Sequence, residues 1–179
     1  MKSDATFSDD RKYRYSLTRI WDESKRLMTF CMLNPSTADE IVNDPTIERC
    51  QRRTQMMGFG GLIVVNIFAY RSTDPRELLK VEDPIGPNNN EHIVRAFGRS
   101  HAAICGWGKH GSIRGRGNDV LGLIKLYGWT PMALKINKDG SPAHPLYIGY
   151  DVQPKPIPED DGLEWDLTKK TKREKLEEL

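Results

Sequence analysis

Four stretches hold residue types suited to chemistry on a flat, hydrogen-bonding ligand: Asn34-Pro35-Ser36-Thr37, Asn66 with Phe68 and Tyr70, Gly106-Trp107-Gly108, and His144-Pro145. Side-chain amides read donor and acceptor patterns, aromatic rings stack on planar groups, and a histidine donates to a developing anion. Each residue also has a plainer reading. Asn34 before Pro35 makes an Asx turn as readily as a contact. Asn66 sits inside the apolar run VVNIF, where an unpaired amide costs on the order of 2 kcal/mol, so it needs either a neighbouring loop or a ligand. Phe68 and Tyr70 are packing or a stacking platform, and Trp107 is a wedge, a lid or packing. His144 follows the turn NKDGSP and precedes a proline.

The stretch GKHGSIRGRG adds backbone amides and three cations, Lys109, Arg114 and Arg116, a composition suited to phosphate or to a solvated loop. GWGKHG, residues 106–111, matches GxGxxG but follows the third expected parallel strand, with no acidic residue placed to close a dinucleotide site. GxxxxGK[ST], GxSxG, HExxH and a calcium loop are all missing from the sequence. No metal and no cofactor are expected.

These residues stand at the ends of expected strands. RKYRYSLTRIW alternates as a half-buried strand does, and RLMTFCMLN is apolar on both sides; the pair is expected to form an N-terminal hairpin. Asp44 caps a helix with Pro45 at its first position and Gly58 at its end, and Asp74-Pro75 opens a second, short one. LIVVNIFAY, AAICGW and MALKI read as buried strands, NEHIVRAFGR and DVLGLIKLYG as helices. The pattern predicts an α/β three-layer sandwich: a mostly parallel central sheet of about four strands, helices on both faces, and the hairpin. In such sheets ligands bind beyond the carboxyl ends of the strands.

The chain has 179 residues and a formal net charge of +2, divided as +5 over residues 1–150 and −3 over 151–179. That division suggests one domain over 1–150, then a proline-rich linker and a charged tail over 151–179. Cys31, Cys50 and Cys105 lie in apolar contexts without a CxxC spacing, so buried free thiols are expected rather than disulfides or a zinc site. The polar start and the lack of a long apolar run predict a soluble cytoplasmic protein without a membrane segment.

The runs MLNPSTAD, NDPTIERC, VVNIFAYRSTDP, GWG and AHPLY resemble a bacterial and phage family catalogued as domain of unknown function 1643, over roughly residues 10–150. More distantly, the order of motifs is similar to that of the uracil-DNA glycosylase superfamily. That likeness implies that Asn34 holds an attacking water, Asn66 reads a base edge, Gly106 to Gly108 form a small-residue turn, and His144-Pro145 supports the departing base. It implies catalytic roles for Asn34 and His144 and base contacts for Pro35, Ser36, Thr37, Asn66, Phe68, Tyr70 and Trp107. Lys109, Arg114 and Arg116 would hold phosphates, with DNA or a free nucleotide as partner. The chain departs from that superfamily in having His-Pro-Leu where His-Pro-Ser is usual, and in having asparagine at position 34, where the most active members carry aspartate. A binding module for a nucleotide, or a hydrolase or transferase of free nucleosides, fits the same residues.

Overall fold

The strands that are apolar on both faces take the centre of the sheet. A computed structural model describes residues 1–159. Its strands are β1 (Lys2–Phe7), β2 (Arg14–Ile20), β3 (Leu27–Met32), β4 (Gly61–Asn66), β5 (Ala102–Gly106), β6 (Met132–Ala133) and β7 (Lys155–Pro156). Its α-helices are α1 (Pro45–Met56), α2 (Asn89–Arg99) and α3 (Arg116–Leu126). The result is a mixed α/β fold with one sheet, ordered β1-β2-β4-β3-β5-β6-β7. The pairs β3–β4, β3–β5 and β5–β6 are parallel, while β1, β2 and β7 pair antiparallel.

The sheet has seven strands rather than about four. β1, KSDATF, is a half-exposed edge strand with no buried residue and without the alternation that marks a strand in sequence. The expected hairpin does not form. β2 pairs instead with β4, Leu17 opposite Val64, and β4 lies between β2 and β3. β3 is buried along nearly all its length and gains more in the middle of the sheet than beside an edge. The fourth parallel strand shrinks to Met132–Ala133. Within the expected linker, Lys155–Pro156 pairs with β6 as β7. The rest of the expected tail, residues 160–179, lies outside the described residues.

Local signals set the helix ends. Asp44 accepts from Ile47 N at 2.9 Å, capping α1, and Gly58 leaves the helix with φ +81°. Asp74 caps a 3-10 turn over Pro75–Leu79. The expected glycine-rich loop holds 3-10 turns over Lys109–Gly115, broken by a kink at Ile113 and Arg114, and α3 starts at Arg116. The buried residues form two clusters. Ile47 and Cys50 of α1 pack with Met28, Phe30, Met32, Leu62 and Val64. Ile93 and Phe97 of α2 and Val120 and Ile124 of α3 pack with Cys31, Ile63 and Val65. Alternate strand residues thus go to different clusters, as the pleat requires. The three cysteines are buried and free. Among the described residues no helix is long and apolar enough to cross a membrane.

Candidate functional site

The carboxyl ends of β3 and β4 open onto a cleft of about 210 Å³. Asn34 comes two residues past the end of β3, and Asn66 is the last residue of β4. Asp44 and Thr46 enter from the start of α1, Ser72 and Thr73 from the loop after β4, and His144 from the turn after β6. A larger cleft of about 450 Å³ lies elsewhere, lined by Lys25, Arg26, Leu27, Arg99 and His101. These are residues at the amino ends of β3 and β5, and none is a strand-end candidate.

The polar groups around the smaller cleft are held in defined orientations. Asn34 Nδ2 donates to Pro35 O at 3.1 Å and Ser72 O at 2.8 Å. Both amide hydrogens are thereby engaged, and Oδ1 remains as an acceptor. Asn66 is 2% exposed. Its Oδ1 accepts from Arg14 Nη2 at 3.4 Å, a long contact, and its Nδ2 donates to none of the described residues. His144 Nδ1 accepts from Leu146 N at 3.3 Å. Only an unprotonated Nδ1 can accept, so this bond assigns the proton of the neutral ring to Nε2. Burial pushes the His144 pKa below its ordinary value, with Asp44 opposing. The neutral imidazole therefore prevails at physiological pH. Gly106 permits this placement, since a Cβ there would lie 3.0 Å from Pro145 Cδ.

Sequence reasoning missed Arg14. The alternation of Tyr13, Tyr15 and Leu17 suggests that Arg14 points outward. A bulge overturns that: Thr6 pairs with Ser16 but Phe7 with Arg14, leaving Tyr15 extra. Tyr15 stacks on His92 of α2, centroids 4.6 Å apart, while Arg14 turns with Leu17 to the α1 side. Arg14 Nη1 donates to Ala38 O at 2.8 Å, and its buried Nε has no partner. Burial lowers its pKa to about 10, which leaves it cationic at neutral pH. Asp44 was legible as a cap, but not as a carboxylate in the cleft.

Of the remaining expected contacts, Ser36 alone joins the cleft. Of the Asn-Pro-Ser-Thr run, Ser36 lines the cleft, Thr37 is exposed, and Pro35 is buried, its carbonyl accepting from Ser72 N at 2.9 Å. Phe68 is fully buried in the core. Tyr70 packs edge-on to Tyr13. Trp107 is 3% exposed and lies against Gly111 and Gly117, where a Cβ would collide with the indole. Among the described residues no aromatic ring other than the His144 imidazole lines the cleft. Arg114 donates to Glu82 O and Val81 O. Arg116 is buried and donates to Ile67 O and Asn90 Oδ1. Both guanidiniums are engaged by the fold, whereas Lys109 is exposed. The described residues contain no group of three or more His, Cys, Asp or Glu placed to hold a metal.

No curated protein and no solved structure matches the chain, so the glycosylase likeness rests on motif order alone. A family model, described as a protein of unknown function (DUF1643), matches residues 14–146, most of the chain including every strand-end residue of the cleft. The chain belongs to the DUF1643 family.

Proposed function

We propose that the cleft recognises a single nucleobase and that the protein hydrolyses the N-glycosidic bond of a modified or mismatched base, on a scaffold read as a three-layer α/β sandwich. The observation that carries this is the convergence of Asn34, Asn66 and His144 on one cleft, with complementary atoms left over: an acceptor on Asn34, a donor on Asn66 and an N–H on His144. A cavity of about 210 Å³ is below the roughly 300 Å³ at which sites for larger ligands begin. It suits one ring rather than a whole nucleotide.

In this reading Asn66 Nδ2 donates to a ring carbonyl. His144 Nε2–H donates to a second ring oxygen as negative charge grows there during cleavage. Asn34 Oδ1 accepts from a water and orients it towards the sugar carbon. The C–N bond breaks, the electron pair leaves with the base, and the water supplies hydroxide to the sugar and a proton to the solvent. Met32 and Ile47, not an aromatic ring, supply the apolar contact. DNA, with the base extruded from the stack, or a free nucleoside or nucleotide is the substrate.

The test is base release, read by mass spectrometry, from single- and double-stranded oligonucleotides carrying uracil, hydroxymethyluracil, hypoxanthine or a mismatch, and from the corresponding nucleosides and nucleotides. Asn34→Ala is expected to lower release by about 100-fold or more while keeping affinity, and His144→Ala to lower it similarly. Release from monomers but not oligonucleotides would assign free nucleosides or nucleotides as substrates. A wild-type chain that releases no base from any of them would refute the hydrolytic reading.

A further inference from the structure

Arg14 sets a charge requirement that the base reading does not contain. Its guanidinium is 2% exposed and lines the cleft. Among the described residues no carboxylate lies within ion-pair distance of it. It makes one short bond to Ala38 O and one long bond to Asn66 Oδ1, and its Nε has no partner. A buried cation left this way is destabilising unless something compensates it.

The surroundings supply what an anion needs. Ser36, Thr46 and Thr73 line the same cleft, and their hydroxyls hydrogen-bond to none of the described residues. The amino end of the 12-residue helix α1 enters it at Thr46 and Ile47, adding a positive dipole end. Donors therefore outnumber acceptors around the cleft. Among the described residues the groups that oppose an anion are Asp44, whose Oδ1 is committed to the cap while Oδ2 is not, and the free Oδ1 of Asn34.

We infer that the cleft is an oxyanion site, in which the Arg14 guanidinium and the hydroxyls of Ser36, Thr46 and Thr73 hold a phosphate or carboxylate oxygen of the ligand, with the positive end of α1 adding to the field. This goes beyond the proposed reading, whose named bases are uncharged, by requiring an anionic group on the ligand. It rests on that reading only in taking this cleft as the ligand site, not on any bond being cleaved.

The test is thermal unfolding of the full chain at pH 7 and fixed ionic strength, with chloride replaced by inorganic phosphate or by orotate, a pyrimidine ring bearing a carboxylate. Uracil is the neutral control. Any ligand that binds only the folded chain raises Tm in proportion to the logarithm of its concentration. Phosphate and orotate are expected to do so, and uracil at equal concentration to do so less. A shift with orotate alone would assign the site to a ring-borne carboxylate; a shift with phosphate alone would assign it to a phosphate group. Arg14→Gln should weaken binding about tenfold or more, as loss of a hydrogen bond to a charged group does. Should Arg14→Gln fail to fold, Asp44→Asn decides: asparagine still caps α1, and removing the carboxylate should tighten anion binding by roughly threefold or more. No shift with either anion up to about 50 mM, equal shifts with uracil and orotate, or weaker binding in Asp44→Asn would overturn the proposal. Base release is measured separately, so failure of the glycosidic reading and failure of the oxyanion site are distinguishable.

Discussion

Two buried arginines, Arg53 and Arg14, solve the same physical problem differently. Arg53 on α1 is 1% exposed. Its guanidinium donates to the carbonyls of Ile148, Gly149, Tyr150 and Val152 at 2.6–3.4 Å. Four oxygens surround the charge, and the chain after His144 is fastened to α1 in consequence. Arg14 on β2 is as buried, and the Nε of each lacks a partner, yet the Nη atoms of Arg14 reach only one carbonyl and one distant amide oxygen, and it borders open space. A cation enclosed by carbonyls stabilises the fold. A cation left short of partners beside a cleft is the observation on which the proposed anion site rests.

Removing each side chain should separate the two. Arg53→Met is expected to have the largest effect. It leaves four carbonyls without their donor and should lower unfolding stability by about 3 kcal/mol, read as a lower urea midpoint. A loss below about 1 kcal/mol would mean that those bonds do not hold the segment. Gly111→Ala comes next. Its Cβ would run into Trp107, and overpacking of this kind costs about 2 kcal/mol. Because Trp107 lies on the fold side of the comparison, the variant should lose stability while its affinity for phosphate is unchanged. A selective loss of ligand binding would move Trp107 to the site.

The smallest effect concerns His144 on the ligand side. Its folded pKa lies below its ordinary 6.5, so the unfolded chain takes up the proton first as pH falls. The stability due to the neutral ring is whole above about pH 6.5 and is lost as pH drops through the folded value. His144→Asn should therefore flatten the stability profile as pH falls below about 6.5. Part of the slope should persist, because burial also lowers the pKa of His92. An unchanged profile would show that His144 is not buried as a neutral ring.

Much of the scaffold was legible because its signals are local. Asp44, Pro45 and Gly58 mark α1 by capping chemistry alone. β3 and β4 announce themselves by apolar residues on both faces. What the chain hides is pairing at long range. Nothing in KSDATF or in Lys155–Pro156 says that they close the two edges of the sheet, and nothing near DESK shows that β4 will lie between β2 and β3. In the site, Asn34, Ser36, Asn66 and His144 could be found because each ends or follows a strand, and those four share one cleft. Phe68 lies only two residues beyond Asn66, but the backbone there bonds to Leu33 O and carries the ring into the core. Arg14 was hidden by a one-residue bulge at Tyr15, which reverses the face that simple alternation assigns.

The most direct test of whether Arg14 serves a ligand rather than the fold is the urea-unfolding free energy of Arg14→Met beside wild type, with no anion other than chloride present. The account predicts a change within about 1 kcal/mol, or a gain, because an undercompensated buried cation is exchanged for an apolar side chain of similar length. A loss comparable to that of Arg53→Met, about 3 kcal/mol, would contradict it and make Arg14 a structural residue like its counterpart on α1.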